Sequence, residues 1–143
     1  MSLKLKLTDM KILRGTLFGG IAYFLLGWLV YGILLMDFFS SRTNMCANRP
    51  EGEMIWWAII LSNLLAALFL TLFLDRGKAR TILDGLKTGA IFGALFTATI
   101  DFSFWSMTTM YSNIGALLVD ILLSTVVFAI VGLVIVLTWG KEK

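Results

Sequence analysis

Four runs of about twenty or more residues, each sparse in charge, constrain this chain more than any other feature. They cover roughly residues 13–36, 54–74, 83–107 and 113–138. An α-helix of about 20 apolar residues crosses the hydrocarbon core of a bilayer, and a helix satisfies its own backbone polar groups there. The expected fold is therefore all-α: an integral membrane four-helix bundle of two antiparallel hairpins, forming a single transmembrane domain over residues 1–143. Composition agrees. Of 143 residues, 59% are hydrophobic and 15% charged, against about a quarter charged in a soluble domain.

The connecting segments read "DFFSSRTNMCANRPEGE", "DRGKARTILDG" and "TTMYSN". The last is so short that the third and fourth spans must form a tight hairpin. Pro50, the only proline, lies in the first connection, so no span is proline-kinked. Lys4, Lys6, Lys11 and Arg14 precede the first span as they would a signal peptide. Its apolar run is longer than the 7–15 residues of such a peptide and no A-x-A site follows it. The expectation is a retained span with "MSLKLKLTDMK" as lead-in and Thr8 or Asp9 as its N-cap.

Charge sets the orientation. Lys4, Lys6, Lys11, Arg14, Arg76, Lys78, Arg80, Lys87, Lys141 and Lys143 fall on one side of a four-span arrangement, and only Arg42 and Arg49 on the other. The positive-inside rule then puts both termini in the cytoplasm and the Cys46 loop outside, in the cell (inner) membrane as a multi-pass protein. Trp56, Trp57, Tyr111 and Trp139 stand near span ends, as interfacial aromatic belts do. The net charge of +3 comes from these flanks and not from an interleaved basic and aromatic surface, which excludes nucleic acid as a partner. Cys46 is the single cysteine, so no intramolecular disulfide forms.

Small and polar residues recur at steps of four: Gly15, Gly19, Tyr23, Gly27 and Tyr31 in the first span, and Gly85, Gly89, Gly93, Thr97 and Asp101 in the third. Such stripes suit close helix packing in lipid, within one bundle or between copies. Gly15, Gly19, Gly27, Gly85, Gly89 and Gly93 are the expected packing positions. Matching Gly15 with Gly85 and Gly19 with Gly89, at an offset of 70, also gives a faint internal repeat.

Packing does not explain Asn63, Asp101 and Asp120. Counted along their helices, each lies roughly 9–14 Å below the outer interface, with Tyr31 slightly shallower. An aspartate at mid-membrane costs on the order of 2.5–3.5 kcal/mol, and no basic residue within the spans neutralises these two. Three outcomes are open. The carboxyls could share a proton; they could hold a cation with Asn63, Tyr31, Thr97 and Ser124 supplying oxygens; or Arg42 or Arg49 could fold down onto them. A plain hydrogen bond between helices is the structural alternative. Catalysis is not expected. The chain has no His, and its lone Cys has no base partner. It carries no His/Cys metal motif and no phosphate-binding loop, so neither metal nor cofactor is expected.

At "GALFTATIDFSFWSMTTM…LLVDILLSTVVFAIVG" the sequence resembles small bacterial four-helix membrane proteins classed as domains of unknown function. Gly93, Asp101 and Asp120 match the pattern of one such group, and "LGWLVYGILL" is similar to a Trp–Tyr element of a sibling group. Ser103 and Phe104 stand where that pattern has a threonine–asparagine pair, and Gly27 where an acid would be. The resemblance implies the four-span fold and a shared role for the two aspartates, and no activity. The expected function is transport or permeation of a proton, cation or small solute through a polar site in the outer half of the bundle, made of Asp101, Asp120, Asn63, Tyr31, Thr97 and Ser124. So small a bundle has little interior, so a homo-oligomer is expected. The competing expectation is a non-catalytic accessory or assembly subunit that binds another membrane protein through its glycine-rich faces.

Overall fold

The computed structural model describes residues 2–140. Helix α1 (Ser2–Leu29) runs into a π-helical turn (Val30–Leu34) and a short helix α2 (Met36–Arg42). Two 3-10 turns, Met45–Ala47 and Glu51–Glu53, lead to α3 (Trp56–Arg76), α4 (Ile82–Met107) and α5 (Ile114–Trp139). No strand occurs among the described residues beyond an isolated antiparallel bridge between Thr43 and Tyr111. Among the described residues, four helical segments are long and apolar enough to cross a membrane: Thr8–Leu34, Trp56–Arg76, Ile82–Met107 and Ile114–Trp139. The protein is an all-α bundle of four such helices, a multi-pass membrane architecture.

The first helix starts earlier than its sequence suggests. Thr8 and Asp9 lie inside α1 rather than capping it. Leu and Lys are strong helix formers, and the "LKLKL" ahead of Thr8 carries the helix back to Ser2. Lys141 and Lys143 lie outside the described residues. The starts of α4 and α5 are capped by side chains. The Thr81 hydroxyl accepts from the Asp84 N–H at 3.1 Å, and the Asp84 carboxylate accepts from the Thr81 N–H at 3.0 Å, a reciprocal capping box. Asn113 Oδ1 accepts from the Ala116 N–H at 3.0 Å and starts α5.

Helices α4 and α5 form the tightest pair, and α1 packs on both α3 and α5. Contacts of α3 with α4 and α5 are sparse. Glycines let α4 and α5 meet backbone to backbone. A methyl group on Gly85 would sit 2.6 Å from the Gly132 carbonyl oxygen, and one on Gly93 2.6 Å from that of Ser124. At Gly89 it would collide with the Phe128 carbonyl oxygen. Gly15 and Gly19 do similar work for α1, against Thr71 of α3 and Ile135 of α5. Gly27 departs from the expectation: a methyl group there would meet nothing within 4 Å. Steps of four advance 400° and drift around the helix, so a stripe that begins at an interface at Gly15 has left it by Gly27.

One end of the bundle carries the start of α1, the end of α5 and the α3–α4 turn, and is called the terminal end below. There Trp139 Nε1 donates to the Lys11 carbonyl at 2.9 Å, and Lys11 Nζ lies 3.3 Å from Asp75 Oδ1 and over the Trp139 ring. The core includes Leu70, Leu74, Phe92, Val127, Phe128, Val131 and Ile135. Outward, apolar residues recur at steps of four, as in Leu17, Ile21 and Leu25 or Leu118, Leu122 and Val126, all exposed. These stripes are the surface a bilayer would cover. At the opposite end, the loop end, the segment after α2 is laced to the α4–α5 connection. Asn44 N–H donates to the Met110 carbonyl at 2.6 Å, and Ser112 N–H to the Arg42 carbonyl at 2.9 Å.

Candidate functional site

The packing of α4 on α5 fixes where the two acids stand. Gly93 packs directly on the Ser124 backbone. Asp101 lies two turns along α4 from Gly93, and Asp120 one turn along α5 from Ser124, both toward the loop end. Tyr111, in the connection between the two helices, folds back between them. Its backbone is held by the bridge to Thr43, and its ring is buried at 8% exposure.

The resulting contacts form one chain. The Tyr111 hydroxyl lies 3.1 Å from Asp101 Oδ1 and 3.2 Å from Asp120 Oδ2. The Tyr31 hydroxyl donates to Asp120 Oδ1 and sits 3.2 Å from Ser124 Oγ. Since the Tyr31 proton goes to Asp120, the Ser124 hydroxyl is the donor to Tyr31. Asp120 is thus met by a phenol at each carboxylate oxygen. Asp101 is only 4% exposed, and its Oδ2 is buried with no hydrogen-bond partner. Burial, then the Asp120 and Asp101 carboxyls, push the Tyr111 phenol above its ordinary value, so it remains a protonated donor.

The π turn carries Tyr31. Single π turns inside α-helices lengthen the backbone loop locally and often occur at functional positions. Here the turn ends at Leu35 (φ −121°), where the chain bends into α2, whose Phe39 ring lies 5.3 Å from the Tyr31 ring.

Two cavities meet at the Tyr31–Asp120 contact. A vestibule of about 640 Å³ reaches the loop end, where Thr43, Arg49 and Glu51 stand; Trp28, Phe39, Trp56 and Tyr111 line it, and Tyr31 and Asp120 form part of its wall. A second cavity of about 260 Å³ lies on the other side, lined by Tyr23, Phe96, Thr97, Asp101, Ser124 and Val127 together with the same Tyr31 and Asp120. Toward the terminal end, Phe128, Val131 and Ile135 are packed solid.

Of the residues expected to meet, Tyr31, Thr97, Asp101, Asp120 and Ser124 line one cavity. Asn63 does not join them. Its amide donates to the Ile59 carbonyl of its own helix at 2.7 Å. Shared depth puts residues at one level but does not orient them, and α3 packs chiefly on α1. Neither arginine folds onto the acids. The Arg42 guanidinium bonds the Phe38 carbonyl and stands 4.1 Å over the Phe38 ring. Arg49 stays at the vestibule wall, and among the described residues Lys11–Asp75 is the ion pair that forms. Tyr111 and Tyr23 are the site residues that sequence reasoning missed. Tyr111 reads as an interfacial aromatic, yet it falls ten residues after Asp101 and nine before Asp120, near the apex of a tight hairpin. That near-symmetric spacing is the signal that finds it. No group of three or more His, Cys, Asp or Glu side chains fit to hold a metal occurs among the described residues.

Compared with known proteins, the chain matches no family model, no curated protein and no solved structure.

Proposed function

We propose that this chain is a small multi-pass transport protein that takes up a proton, a cation or a small solute at the Asp101–Asp120 pair. In this reading the loop end faces outward and both termini are cytoplasmic, as the distribution of Lys and Arg favours. The observation that carries it is the single Tyr111 hydroxyl within hydrogen-bond distance of both carboxyls.

A phenol has one proton to give. Given to Asp120, it leaves the contact with Asp101 to be made by a proton on Asp101 itself. The cluster then reads as Asp101–H to Tyr111, and Tyr111–H to an ionised Asp120 that Tyr31 also serves. This arrangement holds one net negative charge. An aspartate charge in the membrane costs on the order of 2.5–3.5 kcal/mol, and two phenol donors help offset it at Asp120. A second charge on Asp101, whose Oδ2 is unpartnered, would have no such support. The relay gives a proton a route from the hidden carboxyl to the one at the vestibule.

Among the described residues the vestibule gives access from the loop end, and beyond the acids lies a buried apolar core that includes Phe128, Val131 and Ile135. Passage across the membrane therefore requires a rearrangement of the bundle or a pathway completed by a second copy. The rival role, an accessory subunit gripping a partner through glycine-rich faces, draws less support. Gly15, Gly19, Gly85, Gly89 and Gly93 already meet the chain's own helices.

Reconstituted vesicles loaded with a pH-sensitive dye test the proposal. Wild type is expected to dissipate an imposed proton gradient, and Asp101→Asn and Asp120→Asn to lose that flux while still inserting. Full flux in both variants would remove the acids from the pathway.

A further inference from the structure

Water and a proton need little room, and the vestibule has far more than that. Its volume of about 640 Å³ falls within the roughly 300–1,000 Å³ of pockets that hold drug-sized molecules. Aromatic and thioether side chains, among them Trp28, Phe39, Trp56, Tyr31, Tyr111 and Met36, share its walls with smaller polar groups such as Thr43 and Asn48. Asp120 is the acid on its inner wall, and the charged pair at its outer part, Arg49 and Glu51, cancels in sign. An anion facing aromatic rings describes a site for a positive charge carried on an apolar body, since ring faces attract cations and apolar groups alike.

We infer that the vestibule binds a monovalent organic cation, a quaternary ammonium or protonated amine with an aromatic or branched apolar body, with the Asp120 carboxylate as its counter-ion. The inference rests on the proposed function in one respect, that Asp120 is the ionised member of the pair.

Two other ligand classes fit less well. Calcium takes six to eight oxygens and magnesium a strict octahedron. Here both Asp120 oxygens already accept from phenols, and Trp28, Phe39, Trp56 and three methionines of the wall offer no oxygen. An anionic solute would face Asp120 across a low dielectric with Arg49 as its sole basic neighbour, itself balanced by Glu51. The single net charge of the acid cluster also sets the valence at one. Asp101 stands behind Asp120 in the inner cavity, absent from the vestibule wall, with its own oxygen unpartnered. It therefore acts on the ligand through Tyr111 and is a positioning residue for the Asp120 charge.

The test uses the full chain in lipid nanodiscs and benzyltrimethylammonium as probe, a cation that cannot lose a proton. Trp28 and Trp56 line the vestibule, so their fluorescence reports occupancy. The expected result is saturable quenching that the uncharged carbon isostere neopentylbenzene does not reproduce. Asp120→Asn is expected to weaken the probe about tenfold or more, and Trp28→Ala roughly two- to thirtyfold, the range of one cation–π contact. Arg49→Ala is expected to bind as tightly or more tightly.

Equal binding of the neutral isostere, or binding that Asp120→Asn leaves unchanged, would overturn the inference. So would the absence of saturable quenching in a chain that still dissipates a proton gradient in an Asp101-dependent way; the proposed function would then stand without this ligand. Cation binding dependent on Asp120, in a chain with no proton flux, would instead keep the site and sink the proton pathway.

Discussion

Tyr111 joins two acids through one oxygen atom, so its hydroxyl measures how strongly they depend on each other. Tyr111→Phe keeps the ring in its buried position and removes only that atom. Leaving the two carboxyls without that hydrogen-bond partner costs about 1–3 kcal/mol, which thermal unfolding in detergent micelles followed by tryptophan fluorescence will read. The same substitution changes the alkaline behaviour. The folded Tyr111 phenol sits above its ordinary value of about 10. Its stabilising contribution is therefore present in full below about pH 10 and is lost as pH rises toward the folded value, because the unfolded chain gives up that proton first. Wild type should lose more stability than Tyr111→Phe when both are melted above about pH 10, and parallel curves would show that the phenol titrates alike folded and unfolded. At this scale the sequence is a partial guide. Asp101 and Asp120 stand out because a charge in an apolar run demands a reason. Asn63 stands out equally, but an amide can satisfy itself on the preceding turn, as it does on Ile59. Tyr111 is hidden because an aromatic at a span end has a sufficient explanation in the interface.

Among the elements, α4 and α5 owe their closeness to four glycines, Gly85, Gly89 and Gly93 on α4 and Gly132 on α5, and α1 owes less to its own stripe. Gly89→Ala would drive a methyl into the Phe128 carbonyl, where backbone and not a flexible side chain must yield. Overpacking of this kind costs typically 1–3 kcal/mol and sometimes more, and it should also part Asp101 from Asp120, abolishing flux. Gly27→Ala meets nothing within 4 Å and should change the melting point little or raise it slightly, given alanine's higher helix propensity. If the two variants melt alike, the α4–α5 contact is not what holds the bundle. The spans themselves are legible to within a few residues, since apolar length and the "TTMYSN" turn leave one topology. What escapes the sequence is azimuth and local winding. The step-of-four stripe marks Gly27 as readily as Gly89, and nothing in "VYGIL" announces the π turn that carries Tyr31. Both depend on which neighbour a helix face meets, and that is decided by all four helices at once.

At the scale of the whole molecule the two ends differ in charge and in access. Arg76 ends α3 and Lys78 and Arg80 follow it at the terminal end, with Lys11 and Arg14 on α1 at the same end, whereas the loop end carries Arg42 and Arg49 against Asp37, Glu51 and Glu53. The cavity that leads to Asp120 opens among the loop-end residues. Orientation in the membrane therefore decides which compartment supplies the ligand. Cys46 offers a direct reading, being the single cysteine and exposed in the loop-end segment. A membrane-impermeant maleimide added to intact cells should label it without permeabilisation. In a Cys46→Ser background, Lys78→Cys should label only after the membrane is opened. The positive-inside bias predicts this result because moving the basic α3–α4 turn across the bilayer is the costlier choice. Labelling in the reverse sense would turn the bundle over, make the vestibule a cytoplasmic opening, and convert uptake from outside into loading from within, with the acid cluster and its relay unchanged.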